Sequence, residues 1–337
     1  MRKYLITLIC LLNLGCSPPK ENNIIRIVGS STAFPYIIAV AEDFYRVNKD
    51  TNPVIEPTGT GMGFKLFCGQ DQASAPSMIV ASRKIKQSEL DLCKSNGVTN
   101  VYESVFGYDG IIITTSQKNQ LSNLTRKDLF LAMSNFKADS GKLVNNNISY
   151  WNEININLPK EQIIVYGPNA SSGTREEINS LIMNYTCNKN PNIKKLYKDN
   201  KVSCSEIRTD KAFVDVGKNE NLVITKIKQT GNALGITGYN YFIQNKQDIK
   251  AIKIDGIYPT RQNMISMEYS LTRPILIYYK KQPSPKGNIR TKKFLERLFS
   301  EFMVGYKGYL QTKGMIPISN EIINATRSKI NEIFSDS

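Results

Sequence analysis

Residues 163–182 constrain the fold most strongly, because a β-branched run there passes through a short polar turn into a helical pattern. The run Ile-Ile-Val-Tyr at residues 163–166 predicts a buried strand. Apolar side chains at positions 178, 181 and 182 recur with the spacing of one helix face. The turn between them is therefore expected at a helix N-terminus, in a strand–turn–helix unit typical of α/β proteins.

This turn, Ser172-Gly173-Thr174-Arg175, carries groups suited to an anion. The first N–H groups of a helix lack partners, and the helix dipole is positive there. Ser172 and Thr174 add hydroxyl donors, and Gly173 allows an oxyanion to approach the backbone closely. Arg175 offers a bidentate guanidinium. An ordinary N-cap with a turn glycine and a surface arginine would contain the same residues, so this stretch alone leaves both interpretations open.

A second unit of the same kind begins near residue 24. The run Ile-Ile-Arg-Ile-Val at residues 24–28 predicts a strand, and an apolar helical pattern covers residues 36–44. Between them lies Gly-Ser-Ser-Thr-Ala, which places Ser31, Thr32 and Ala33 at another helix N-terminus. Two such turns, far apart in sequence, predict two lobes that close on one small oxyanion.

The composition excludes several kinds of chemistry. The chain has no histidine, which removes Ser-His-Asp catalysis, Cys-His catalysis and zinc sites built on imidazole. No two cysteines have C-x-x-C spacing, so we expect neither a metal nor another cofactor. A formal net charge of +15 is compatible with nucleic acid, a membrane surface or an anionic ligand. The lysines are scattered without a dense basic run, so nucleic acid is not the expected partner.

Four motifs together resemble one family. They are Gly-Ser-Ser-Thr-Ala-Phe-Pro from residue 29, Gly-Thr-Gly-Met-Gly-Phe from residue 59, Ala-Ser-Arg from residue 81 and Ser-Gly-Thr-Arg from residue 172. In this order the chain is similar to the periplasmic phosphate-binding protein of the high-affinity ABC phosphate importer, from about residue 24 to the C-terminal region. The resemblance implies a type II substrate-binding protein: an α/β fold of two doubly wound lobes joined by crossover strands. Residues 24–106 and 270–337 would form the first lobe, and residues 107–269 the second.

The resemblance also implies which residues hold the ligand. A turn at residues 59–64, ahead of a helix from residue 65, would offer Thr60 and Gly61, and the end of the next strand would offer Ser82 and Arg83. The complete expected set for phosphate is Ser31, Thr32, Ala33, Thr60, Gly61, Ser82, Arg83, Asp109, Ser172, Gly173, Thr174 and Arg175.

Asp109 belongs to this set because the carboxylate that selects phosphate in the family is missing from its usual places. Some relatives carry an aspartate where this chain has Arg83, which cannot accept a hydrogen bond, and others carry one where this chain has Ser77. Asp109 lies in a Gly-Tyr-Asp-Gly kink of the strand predicted at residues 105–114, the first crossover strand. A carboxylate there could accept the proton of a phosphate, or it could simply bind nearby turn amides.

The N-terminus predicts export. Residues 1–16 combine a basic start, an apolar core at residues 4–12 and Cys16, which resembles a lipoprotein signal that ends at a lipidated cysteine. Residues 17–23 form a polar tether. Asn13 stands where such signals usually carry leucine, so an ordinary secretory signal is the alternative. Both routes place the protein outside the cytoplasm, in the periplasm.

Four cysteines remain after Cys10 and Cys16, and they allow three disulfide connectivities. We favour Cys68–Cys93 and Cys187–Cys204, because each closes a loop inside one expected lobe. Within the second lobe, the pattern predicts helices over residues 210–216 and 222–231.

The expected function is capture of inorganic phosphate outside the cytoplasm by a monomeric, membrane-anchored binding protein. The phosphate would pass to the permease and ATPase subunits of an ABC importer. The chain is expected not to be an enzyme, since a hydrolase without histidine would need an activated serine with a lysine base. Two further alternatives are a binding protein for another tetrahedral oxyanion, such as sulfate, and a surface lipoprotein without a transport role.

Overall fold

The computed structural model describes residues 23–217 and 219–335, and strands and helices alternate through much of this part of the chain. The strands are β1 (Ile24–Gly29), β2 (Asn52–Glu56), β3 (Met78–Ala81), β4 (Tyr102–Ser116), β5 (Asn123–Leu124), β6 (Phe136–Asp139), β7 (Lys142–Asn145), β8 (Val165–Gly167), β9 (Phe213–Asp215), β10 (Leu234–Gly238), β11 (Ile249–Ala251), β12 (Lys253–Ile254) and β13 (Thr272–Tyr279). The helices are α1 (Phe34–Val47), α2 (Thr60–Phe67), α3 (Gln87–Ser95), α4 (Arg126–Met133), α5 (Trp151–Ile154), α6 (Gly173–Glu177), α7 (Tyr185–Lys189), α8 (Pro191–Asp199), α9 (Glu220–Thr230), α10 (Tyr239–Asn245), α11 (Arg261–Ile265), α12 (Pro285–Leu298), α13 (Glu301–Val304), α14 (Tyr309–Thr312) and α15 (Asn320–Ile333). A π-helical segment, Ile178–Asn184, joins α6 to α7.

The long strand β4 connects the two halves of the main sheet. In the first half, β1 pairs in parallel with β2 and β3, and β13 runs antiparallel between β3 and β4. Over residues 102–110, β4 pairs with β13. Over residues 111–115, it pairs with β10, and the second half continues through β8 to β9. The mixed α/β architecture that the sequence predicts is confirmed.

The expected kink at residues 107–110 lies inside β4, which continues through it. The local irregularity is a shift in register, because Ile275 faces Gly107 whereas Leu276 faces Val105. A Cβ on Gly107 would lie 2.2 Å from the sulfur of Met315, so this position requires glycine for close packing. The bend is therefore a β-bulge in the crossing strand rather than a break between two strands.

Two expectations about local structure are wrong. Residues 213–215 form the edge strand β9, paired in parallel with β8, instead of belonging to a helix over residues 210–216. Asp210 accepts hydrogen bonds from Arg208 and from the backbone N–H of Ala212, and these bonds fix a turn just before β9. The helix α2 begins at Thr60 rather than at residue 65, so the expected turn reduces to Gly59, whose φ is 78°.

The buried side chains form separate clusters on the two halves of the sheet. One cluster combines residues between 111 and 271 with Ile316. Two others combine residues between 25 and 106 with residues between 275 and 334. Tyr108 packs against one cluster on each side. We retain as a proposal the division into a first lobe of residues 24–106 and 270–337 and a second lobe of residues 107–269, which these clusters support.

Both favoured disulfides are present, Cys68–Cys93 and Cys187–Cys204. The predicted signal segment, residues 1–16 with the lipidated Cys16, lies outside the described residues, as does the tether apart from its last residue. Among residues 23–217 and 219–335, no helix combines the length and the apolar character that a membrane crossing requires.

Candidate functional site

The two turns singled out from the sequence meet in the structure. The Ser31 hydroxyl, between β1 and α1, donates a hydrogen bond of 3.0 Å to Oε2 of Glu176 on α6. A Cβ on Gly173 would lie only 3.3 Å from Cγ2 of Thr32, so glycine allows this close approach. Ala33, which precedes α1, is buried behind the turn. Two helix N-termini from distant parts of the chain thus face each other.

The turn at the start of α6 differs from an ordinary helix cap. Ser172 has the extended backbone of an N-cap residue, but its side chain makes no capping hydrogen bond. The Thr174 hydroxyl donates to Oε1 of Glu220 at 2.8 Å. The Arg175 guanidinium donates to the Pro168 carbonyl at 3.0 Å and lies over the ring of Phe213. Of the two hydroxyls, that of Thr174 is thus engaged by Glu220, whereas that of Ser172 forms no capping hydrogen bond.

Burial lowers the pKa of Arg175, although Asp215 opposes the effect. This direction agrees with a guanidinium that has left water for an aromatic face and a carbonyl. Arg175 consequently supports the turn in this conformation, and its role as a direct phosphate ligand stays a prediction.

Thr60, at the start of α2, and Ser82, directly after β3, also come together. Their hydroxyl oxygens are 3.4 Å apart, and the Ser82 backbone N–H points to the Thr60 hydroxyl at the same distance. Arg83 forms two hydrogen bonds with the carboxylate of Glu89, at 2.9 and 2.7 Å. These bonds raise the pKa of Arg83. The Arg83 guanidinium is thus held by α3, which leaves Thr60 and Ser82 as the polar groups free to turn toward a ligand.

Two chambers lie beside the meeting point of the turns. The first chamber has a volume of about 530 Å³, and the predicted ligand residues that line it are Thr32, Asp109, Gly173 and Thr174. The second chamber has a volume of about 650 Å³, and the predicted ligand residues that line it are Thr60, Gly61, Ser82 and Arg83. Ser31, Ala33, Ser172 and Arg175 line neither chamber. Four of the predicted residues therefore line the first chamber and four line the second, and their roles as phosphate ligands stay a prediction.

The walls of the chambers also differ in charge. The other charged or titratable side chains of the first chamber are Tyr36, Glu177, Glu220, Tyr239, Tyr241 and Lys313. Those of the second chamber are Lys84, Glu176 and Arg273. With Asp109 included, the first wall is mainly acidic, and with Arg83 included, the second is mainly basic.

Glu177 and Arg273 connect the chambers and were missed by the sequence analysis. Arg273 on β13 lies opposite Asp109 on β4 in the strand register. Nη2 of Arg273 lies 2.9 Å from Oε1 of Glu177, and the two side chains are only 7% and 4% exposed. Two features of the sequence could have pointed to these residues: a second acid directly after the Ser-Gly-Thr-Arg motif, and an arginine at the start of β13. Neither feature is distinctive alone.

Two carboxyls of this site, those of Glu177 and Glu220, have raised pKa values. Burial, and next the charge of Asp109, raises the pKa of Glu177 well above its ordinary value, against the opposing effect of Arg273. Burial also raises the pKa of Glu220, although that carboxylate accepts hydrogen bonds from Gly238 and Thr174. Asp109 itself accepts from the N–H of Gly110 at 3.0 Å, which is the alternative role that its turn position allowed.

Comparison with known proteins agrees with the family resemblance that the sequence motifs indicate. Residues 17–302 match the family model described as a PBP superfamily domain. This chain belongs to the PBP superfamily. Protein SphX of Synechococcus elongatus is 26% identical to it over 308 residues, which cover 89% of this chain and 79% of that protein. The phosphate-binding protein PstS of Staphylococcus saprophyticus is 25% identical over 315 residues, 90% of this chain and 83% of that protein.

Solved structures support the fold. A possible phosphate binding protein from Planctomyces limnophilus aligns with a TM-score of 0.70 at 24% identity, covering 92% of this chain and 98% of that one. PstS from Borrelia burgdorferi aligns with a TM-score of 0.63 at 20% identity, covering 88% and 98%. The expected type II fold of two doubly wound lobes joined by crossover strands is therefore confirmed, as is the resemblance that predicted it.

Proposed function

We propose that this protein binds inorganic phosphate outside the cytoplasm and delivers it to the permease and ATPase subunits of an ABC importer. The observation that carries the proposal is the meeting of the two anion-suited turns, where Ser31 donates to Glu176 and a Cβ on Gly173 would lie only 3.3 Å from Cγ2 of Thr32. Independent support comes from relatives that are named phosphate-binding proteins and that align with most of this chain. We propose that the protein acts by binding alone and that no bond of the ligand is broken.

Binding would draw on fixed neutral dipoles. Backbone N–H groups at the starts of α1 and α6 stabilise an anion without a counter-charge. The hydroxyls of Thr32, Thr60 and Ser82 add donors from the first lobe, and that of Ser172 adds one from the second. Closure of the lobes over the ligand would exclude water and strengthen each of these hydrogen bonds.

We further propose that Cys16 carries lipid and holds a monomer at the outer face of the cytoplasmic membrane. Mass spectrometry of the exported protein would test this part separately. A diacylglycerol mass on the peptide that begins at Cys16 is the expected result, whereas an unmodified N-terminus elsewhere would favour the ordinary secretory signal.

Calorimetric titration of the purified exported protein with phosphate, arsenate and sulfate tests the binding function. We expect one site per chain that takes phosphate and arsenate and discriminates against sulfate. Preference for sulfate would support the alternative of a different tetrahedral oxyanion. Absence of binding by all three anions would refute the proposal and favour the surface lipoprotein without a transport role.

A further inference from the structure

A third cavity lies among residues of the proposed second lobe and shares no lining residue with the two chambers. Its volume is about 550 Å³, which is within the range of about 300–1,000 Å³ that is typical of small-molecule sites. Residues from α4, α7, α8 and the turn after β12 line it, and we call it the α4–α7 cavity. The disulfide Cys187–Cys204 fixes α7 to the segment that follows α8.

Part of the lining of the α4–α7 cavity is apolar. Phe130 on α4 is only 2% exposed. Leu131 beside it and Ile193 on α8 are partly buried and pack against the same core cluster. Inorganic phosphate has no apolar surface to place against these side chains. The cavity is therefore suited to an organic molecule, which can bury such surface there.

Two cations meet at the ring of Tyr185, which lines the same cavity. The Arg126 guanidinium lies 3.4 Å from the ring centroid, and Nζ of Lys189 lies 5.5 Å from it. Nζ of Lys189 also donates a hydrogen bond of 3.2 Å to the phenol oxygen. This hydrogen bond, and next the charge of Arg126, lowers the pKa of Tyr185 against the opposing effect of burial. Positive charge is thus concentrated at one part of the cavity wall.

Acidic groups of the lining do not balance this charge. Three of the lining residues are cationic and one is acidic. The cations are Arg126, Lys127 and Lys189, and the acid is Asp255. The Asp255 carboxylate accepts from Nε and the backbone N–H of Arg126, both at 3.2 Å, and from the Ser270 hydroxyl at 3.1 Å. The carboxylate is therefore already engaged, and an anion from outside the chain would meet a positively charged wall.

We propose that the α4–α7 cavity binds a small organic carboxylate that carries an apolar body. The body packs on Phe130 and Ile193, and the carboxylate lies between Arg126 and Lys189. A neutral apolar molecule would leave the cations without an added partner, whereas a bare anion would leave the apolar wall in contact with water. The site is separate from the proposed phosphate site, so its occupancy does not depend on phosphate.

Calorimetric titration of the full exported chain with phenylpropionate tests this inference. The probe combines a carboxylate with an aromatic body and contains no phosphate. Acetate keeps the carboxylate and lacks the body, whereas phenylpropanol keeps the body and lacks the charge. We expect saturable binding of phenylpropionate, with acetate and phenylpropanol each binding about tenfold or more weakly. Saturating phosphate should leave the affinity for phenylpropionate unchanged.

Two substitutions each remove one cation from the wall. Lys189→Gln should weaken phenylpropionate binding about fivefold, because the side chain is exposed and partly screened by water. Arg126→Gln should weaken it about tenfold or more, because it also leaves the Asp255 carboxylate unpaired beside the ligand. The matched control is Lys194→Gln on α8, which removes the same charge from an exposed position that does not line the cavity. The control should bind as wild type does.

Urea unfolding of the same samples separates a folding failure from a binding effect, and the exposed Lys189 position gives a variant that should fold. No binding of phenylpropionate, equal affinity for phenylpropanol, or unchanged affinity in both variants would overturn the inference. Displacement of phenylpropionate by phosphate would also overturn it, since the probe would then occupy the chambers. Binding of an acidic aromatic peptide without binding of phenylpropionate would replace the small ligand with a protein partner. A wild type that binds phenylpropionate but no phosphate would overturn the proposed function alone.

Discussion

Gly173→Ala tests whether the two turns must meet for the anion to bind. A Cβ at position 173 would lie 3.3 Å from Cγ2 of Thr32, which is tighter than ordinary van der Waals contact. The turns would have to separate by a few tenths of an ångström. Gly173 is the first residue of α6 and does not have a positive φ, so alanine itself fits the backbone at this position.

Gly173→Ala is expected to weaken phosphate binding without lowering the free energy of unfolding. Overpacking costs about 1–3 kcal/mol, and a single methyl contact at an exposed turn should fall at the low end, about 1 kcal/mol. This corresponds to a dissociation constant for phosphate about fivefold higher. The free energy of unfolding should stay level or increase, because alanine is favoured over glycine in a helix by up to about 1 kcal/mol.

Calorimetry with phosphate and urea unfolding of the same samples measure the two quantities. The matched control is Thr32→Ser combined with Gly173→Ala, since serine lacks Cγ2 but keeps the hydroxyl that pairs with Ser30 at 2.8 Å. Affinity near that of wild type is expected for this double variant. An unchanged dissociation constant in Gly173→Ala, or no recovery in the double variant, would refute the idea that contact between the turns governs binding.

Three further predictions address other parts of the molecule. Arg175→Ala should weaken phosphate binding about tenfold or more, since loss of a charged hydrogen bond costs about 1.5–3 kcal/mol; an unchanged calorimetric dissociation constant would remove Arg175 from the site. Because burial raises the pKa of Glu177, the folded state keeps a proton that the unfolded chain releases, so in the wild-type pH profile the contribution of this residue to stability should fall as the pH rises above about 4.3. Glu177→Gln should flatten this profile in urea unfolding, and equal slopes would contradict the assignment. Paired Cys187→Ser and Cys204→Ser should lower the free energy of unfolding by about 3 kcal/mol on the loop-entropy model, with non-reducing peptide mapping to verify the wild-type bond.

Local sequence patterns predicted the strand–turn–helix units well, because each unit depends on neighbouring residues. The strand β1, the helix α1 and the turn before α6 lie where periodicity places them. The edge strand at residues 213–215 was missed because it is only three residues long and depends on β8 for its pairing. A pairing partner nearly fifty residues away leaves no local pattern in the strand itself.

The roles of individual charged residues were harder to predict than the elements that carry them. Arg83 and Arg175 have the side chain that an anion site needs, but nothing in their own motifs shows that Glu89 and the Pro168 carbonyl engage them. Conversely, Arg273 follows no motif that points to an anion, and only its register opposite Asp109 brings it to Glu177. Side-chain partners come from tertiary packing, which spacing along the chain does not encode.

Overall charge and local charge act on different steps of recognition in this protein. The formal net charge of +15 attracts an anion at long range and therefore affects the rate of encounter. Salt screens this long-range attraction. The wall of the first chamber has the opposite character, because Asp109, Glu177 and Glu220 all line it. An anion can remain beside such a wall only where a proton is shared between oxygens. Under the proposed function, the basic composition would favour any anion, and the acidic wall would be the feature that distinguishes one oxyanion from another.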